Sequence, residues 1–171
     1  MSFAEAQDED RRDVSSAPFM DAALFDRTFD EGMSLVEETA RYLDGPGREE
    51  SRVLPRSAAL LYAGESMRVT TRLMQAASWL LIQRAVHEGE MRAEDAAGER
   101  YRLGSKEICF GGRAENLELL PQTLRDLLER SARLYSRIAR LEEAILGTHS
   151  AAKQPVQAQF ERLQQSFGTT G

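Results

Sequence analysis

At 171 residues the chain is long enough for one domain with its own hydrophobic core plus tails. Its 42% hydrophobic and 29% charged residues suit a helical protein with a charged surface, and the net charge of −6 disfavours tight nucleic-acid binding, which needs many phosphate contacts. One cysteine and two histidines leave no internal disulfide and no zinc cluster.

Residues 1–18 are rich in Asp, Glu, Ser and Ala with few apolar anchors, and read as a disordered acidic tail. They hold no apolar stretch of the kind a secretion signal needs. The longest apolar run, 76–82, is far too short to span a bilayer, so a cytoplasmic protein with no membrane partner is expected.

A helical period then covers about residues 20–44. Phe25, Phe29, Met33, Val36, Ala40 and Leu43 are spaced by steps of four and three, Asp21 is a suitable N-cap, and Asp44-Gly45-Pro46-Gly47 stops the helix. After a short polar connection, Pro55 falls where its missing N–H costs nothing, just before or in the first turn of a long central helix over about 56–89.

The central helix carries two apolar lines. Leu60, Met67, Met74 and Leu81 repeat every seven residues, with Gly64, Thr71, Ser78 and Ala85 on the same side; Tyr62, Val69, Leu73, Ala76 and Leu80 form the second line about a third of a turn away. Two such seams predict contact with two other elements at once. Opposite both lies a polar face of Arg68, Arg72 and Gln75 that also holds Leu61, Trp79, Ile82 and Val86. It is expected to be a dimer or partner surface, the alternative being that residues 91–118 fold back over it.

Between residues 91 and 119 the periodicity fails. Ala93 to Glu99 can form a short helix, but Gly104, Gly111 and Gly112 interrupt any pattern beyond it, leaving either a packed irregular flap or a working surface. Cys109 within it reads as a small buried or half-buried thiol.

The third helix, about 121–146, shows Leu117, Leu120, Leu124, Leu127, Leu134, Ile138, Leu141 and Ile145 at alternating heptad core positions, with Ser131 the polar member and Leu128 and Tyr135 widening the seam. Asp126 with Arg130 and Glu129 with Arg133 have ion-pair spacing, and Gly147 is the expected end. Residues 147–171 read as a flexible tail with an amphipathic segment at 155–167. There Val156, Phe160, Leu163 and Phe167 suit a short helix docking into a partner groove or onto the bundle itself. The fold expected is an all-α three-helix bundle over 19–146.

No convergent catalytic set is present. Glu31, Glu37, Glu38 and Glu65 lack the Glu-x-x-His pattern of a di-iron bundle, since Arg84 stands three before His87 and Leu146 three before His149. No Gly-Lys-Ser/Thr comes after Gly111-Gly112, and no Ser or Thr has a His partner at meaningful spacing. No catalytic residue, cofactor or metal is expected, and the chemistry points to binding other proteins. Arg130, Arg133, Arg137 and Arg140 step along one side of the third helix. They form either the solvated flank of the leucine seam or, as the alternative function, the basic face of a helical DNA-associated regulator.

Taken in chain order, several strings resemble one family. Phe25-Asp26-Arg27-Thr28-Phe29-Asp30-Glu31-Gly32-Met33, Val36-Glu37-Glu38-Thr39 and Tyr42-Leu43-Asp44-Gly45-Pro46-Gly47-Arg48 are similar to the first helix and turn of the regulator of CtrA degradation (RcdA) family. Glu65-Ser66-Met67-Arg68-Val69-Thr70-Thr71-Arg72-Leu73-Met74-Gln75, Ala77-Ser78-Trp79-Leu80-Leu81 and Gln83-Arg84-Ala85-Val86 resemble its second helix. Glu99-Arg100-Tyr101-Arg102-Leu103 and Pro155-Val156-Gln157-Ala158-Gln159 fit as well, whereas residues 105–115 and the acidic tail have no counterpart in the pattern.

The resemblance implies a three-helix bundle, typically homodimeric and non-catalytic, that acts as an adaptor for the ClpXP protease in the cytoplasm, with a cell pole as an expected site. In that scheme a response-regulator-like protein primes the protease. The bundle then tethers cell-cycle regulatory substrates or a further cyclic-di-GMP-binding adaptor, and its C-terminal part contributes to these contacts.

Overall fold

A computed structural model describes residues 22–112 and 114–167, with side-chain surroundings through residue 149 apart from 113; residues 1–18 and the expected cap Asp21 lie outside the described residues. In chain order the helices are α1 (Ala22–Asp44), α2 (Pro46–Arg52), α3 (Arg56–His87), α4 (Ala93–Ala96), α5 (Lys106–Cys109) and α6 (Gln122–Phe167). Single 3-10 turns occupy Glu99–Tyr101 and Leu117–Leu119, and no strand occurs among the described residues. The expected all-α bundle of three long helices is what forms.

Helix α3 is central, packing against both α1 and α6 as well as the short elements between them. The second apolar line of α3 supplies the core: Val69, Leu73, Ala76 and Leu80 are buried against Phe25 and Leu35 of α1 and Leu124, Leu127, Leu134 and Ile138 of α6. The α6 seam is buried as its spacing requires, with Ser131 satisfied inside the helix by donating to the Leu128 carbonyl.

The helix ends obey local backbone chemistry. Gly89, at φ +75, closes α3: Glu90 N–H donates to the Ala85 carbonyl and Gly89 N–H to that of Val86, the paired bonds of a glycine-terminated helix. Pro46 begins a new helix where a polar connection was expected, because proline at a first helical position has no lost donor. Gly47 packs that short helix onto the bundle; a Cβ there would lie 2.5 Å from the Tyr62 hydroxyl and 2.8 Å from the Tyr42 ring. The Tyr42 hydroxyl in turn donates to Glu50 Oε2 at 2.7 Å.

One boundary differs strongly from expectation. Helix α6 does not stop at Gly147 but is 46 residues long in all, running through Gly147 and Pro155 to Phe167. A glycine ends a helix when it turns left-handed, and among the described residues only Ser105, Asn116 and Gly89 have positive φ. The expected flexible tail is therefore helical backbone as far as Phe167. The side chains of Val156, Phe160, Leu163 and Phe167 lie outside the described surroundings.

Candidate interaction surfaces

The three faces of α3 have different fates. On the face expected to be free, Trp79 is only 3% and Arg72 only 7% exposed, while Leu61, Arg68, Ile82 and Val86 are half-buried. For Trp79 and Arg72, both buried, the partner-face expectation gives way to the alternative: residues 91–118 fold back beside Arg68, Arg72, Trp79 and Val86.

Polar side chains hold that flap. Arg72 donates from Nε to the Cys109 carbonyl at 2.8 Å and from a terminal nitrogen to that of Leu128 at 3.2 Å, and Arg68 reaches the carbonyls of Gly111 and Gly112. Gln75 accepts from Gly104 N–H at 2.9 Å, and Tyr135 donates to the Gly104 carbonyl at 2.9 Å. Glu142, buried on α6, accepts from Leu103 N–H at 2.6 Å, and its other oxygen lies 3.8 Å from Lys106 Nζ. An irregular segment cannot satisfy its own backbone groups, so the flanking helices supply the partners.

Burial lowers the pKa of Arg72 from its ordinary value, and buried Glu65, 3.4 Å from Arg68, offsets part of the local positive charge. Burial also pushes the Cys109 thiol up, away from the reactive thiolate. Between flap and bundle lies a cleft of about 370 Å³ lined by Arg68, Arg72, Phe110 and Leu128. Its two α3 arginines already serve backbone carbonyls.

The arginine stripe of α6 is largely neutralised. Arg130 makes two 2.7 Å bonds to the carboxylate of Glu38 on α1, Arg137 bonds Glu31 at 2.8 Å, and Arg133 pairs with Glu129. The Glu38 hydrogen bond to Arg130 lowers the carboxyl pKa and raises that of the guanidinium. Of the two spacings noted in the sequence, Glu129 with Arg133 pairs, while Arg130 turns to α1 and leaves Asp126 as a neighbouring charge.

The line expected to be a core seam is instead open to solvent: Leu60 is 70%, Met67 71%, Met74 65% and Leu81 54% exposed. The core arc of α3 runs from Leu73 toward Trp79, so the covered flank is the polar-looking one and the apolar flank stays bare. Every exposed residue of α3 between positions 57 and 83 is uncharged, in a chain that is 29% charged. Depletion of charge around exposed Leu and Met is the compositional mark of an interface centre. Spacing alone did not separate this face from core; its alternation of large and small residues was the available signal.

No group of three or more His, Cys, Asp or Glu residues able to hold a metal occurs among the described residues, and no helix among them is long and apolar enough to cross a membrane.

A family profile described as "protein of unknown function (DUF1465)" matches residues 16–167. A search of the curated proteins finds no match. Among solved structures, that of RcdA from Caulobacter crescentus CB15 is similar at 55% sequence identity and a TM-score of 0.62, covering 75% of this chain and 95% of that one. With most of the chain inside the profile and over half of the aligned residues identical to RcdA, the chain belongs to the RcdA-like DUF1465 family.

Proposed function

We propose that the protein is a non-catalytic adaptor in regulated proteolysis, tethering cell-cycle regulatory substrates or further adaptors to the ClpXP protease. The observation that carries this reading is the 55% identity to RcdA over 95% of that chain. The geometry supports it: tethering needs no acid, base or metal, only a stable scaffold with separate binding faces, and the bundle offers an uncharged apolar face on α3. Holding a substrate beside the protease raises its effective concentration toward the millimolar range when the linker geometry suits.

The partners in this reading are ClpXP primed by a response-regulator-like protein, the delivered substrates, a cyclic-di-GMP-binding adaptor and a second copy of the chain. The setting is cytoplasmic, with a cell pole as the site of action. The segment carrying Val156, Phe160, Leu163 and Phe167 serves as a recruitment peptide displayed at the far end of α6. The α6 arginines argue against DNA as the target, since Arg130, Arg133 and Arg137 are engaged by carboxylates.

Reconstituted degradation tests the proposal. With ClpXP, its priming partner and a bound substrate, addition of this protein is expected to accelerate substrate loss. An unchanged rate, together with saturable and sequence-dependent DNA binding at physiological salt, would replace the adaptor reading with the DNA-associated one.

A further inference from the structure

Arg68, Arg72 and Arg125 meet Phe110, Leu117 and Leu128 in the walls of the cleft between flap and bundle. The described lining sets these three arginines against two glutamates, and both glutamates are engaged: Glu65 lies 3.4 Å from Arg68, and Glu129 pairs with Arg133. Arg72 and Arg125 are left without an ion-pair partner among the described residues. They converge on one turn of α6, since Arg125 belongs to it and Arg72 reaches its Leu128 carbonyl at 3.2 Å. We infer that the cleft receives the C-terminal end of another polypeptide. Its terminal carboxylate is met by Arg72 and Arg125, and an apolar last side chain lies against Phe110, Leu117 and Leu128.

The charge balance calls for an anion. Arg72 is only 7% exposed, and a buried charge without a counter-ion is unfavourable. Burial, and then repulsion from Arg68, lowers its pKa. The Nε of Arg125 is closed off from solvent and has no hydrogen-bond partner among the described residues, while a terminal nitrogen of the same side chain donates to the Gln122 side-chain oxygen. Because Arg125 is half-buried, its fork can turn toward an arriving oxygen. Each guanidinium has five N–H donors, so the carbonyls and Gln122 occupy only some of them. A carboxylate brings the missing charge and acceptor oxygens together, in the planar geometry that suits a guanidinium.

The rest of the lining selects a chain end. Leu128 is buried, Leu117 half-buried and Phe110 52% exposed, which gives an apolar wall that an incoming side chain can reach. At about 370 Å³ the cleft is at the low end for ligand sites, with room for a terminal side chain and its carboxylate. The flap carbonyls of Gly111 and Gly112 border the same space. Each accepts from Arg68, at 2.9 and 3.1 Å, and keeps a second lone pair for a peptide N–H. A free fatty acid has no such donor. Gly112 has open space where a Cβ would stand, so another main chain can come close.

As a holding site for delivered polypeptides, the cleft deepens the adaptor reading and rests on it. The test is fluorescence anisotropy with the full chain and a short Gly-Ser peptide, labelled at its N-terminus and ending in a free leucine. Saturable binding is expected. Converting the terminal carboxylate to an amide should weaken it at least about tenfold, as should Arg125→Gln. Ala132→Leu, which fills the cleft without removing a charge, should weaken it too, whereas Arg140→Gln on the exposed flank should not. Thermal melts of each variant confirm that the fold persists.

Equal binding of acid and amide would overturn the role of the carboxylate. Octanoate binding as tightly as the peptide would overturn the chain end in favour of a free acid. Binding unaltered by both Arg125→Gln and Ala132→Leu would overturn the cleft as its location. No saturable binding, while the protein still accelerates degradation by primed ClpXP, would overturn this inference and leave the adaptor reading standing. Carboxylate-dependent binding without any acceleration would support the cleft and count against the adaptor reading alone.

Discussion

Arg72 of α3 holds the Cys109 carbonyl at 2.8 Å across 37 residues of sequence, and this buried bond decides which side of α3 is free. With Arg68 and Gln75 it draws the flap over Trp79 and leaves Leu60, Met67, Met74 and Leu81 to solvent.

Removing that anchor should loosen the flap before the bundle. Arg72→Ala removes the donor that reaches the Cys109 carbonyl and opens a void, a cost of roughly 2–4 kcal/mol. Denaturant melts should show the loss, and the Cys109 thiol, 2% exposed, should react with an aromatic disulfide markedly faster. Unchanged thiol reactivity would mean that Arg72 is not what secures the flap.

Trp79 and Met67 should behave in opposite ways. Trp79→Ala empties a core site and is expected to cost about 3–5 kcal/mol in thermal or urea unfolding. Met67→Ala, 71% exposed, should change monomer stability by less than about 0.5 kcal/mol. Equal effects of the two substitutions would contradict the assignment of the α3 faces.

The glycines make a second contrasting pair. Gly147 lies within α6 with open space around a Cβ, so Gly147→Ala should stabilise by up to about 1 kcal/mol. Gly47→Ala should destabilise by about 1–3 kcal/mol, since its Cβ would collide with Tyr62 and Tyr42. Calorimetry of both variants measures the two signs.

Acid should weaken the α1–α6 contact. The Arg130 hydrogen bond holds the folded-state pKa of Glu38 below the usual carboxylate range. The stability it contributes is therefore present above the unfolded pKa and is lost as pH falls through the folded one. The pair is 47% and 40% exposed, so solvent screening limits the effect to below about 1 kcal/mol. Glu38→Gln should lower stability at pH 7 by that amount and flatten the acid side of the curve; a variant with the same acid dependence would exclude this pair as its source.

Much of the bundle is written in local spacing. The α6 leucines and the line of Val69, Leu73, Ala76 and Leu80 needed only the helical period to be assigned to the core. The choice between the two flanks of α3 was hidden, because burial depended on bonds such as Arg72 to Cys109 that join distant positions and leave no periodic trace. Arginines and a glutamine read as an outward face, yet here they satisfy an irregular backbone. Likewise Gly147 carried a stop signal that acts only when the backbone turns left-handed. Trp79 and Arg72 were placed outward for the first reason, and the helical reach of α6 was missed for the second.

Retention of ClpXP on the immobilised protein, measured with and without the priming response-regulator-like protein, bears most directly on the adaptor reading. Capture is expected to depend on the primer and to persist when no chemistry can occur. Failure to retain the primed protease at physiological salt, with conversion of a small substrate by the protein alone, would contradict it.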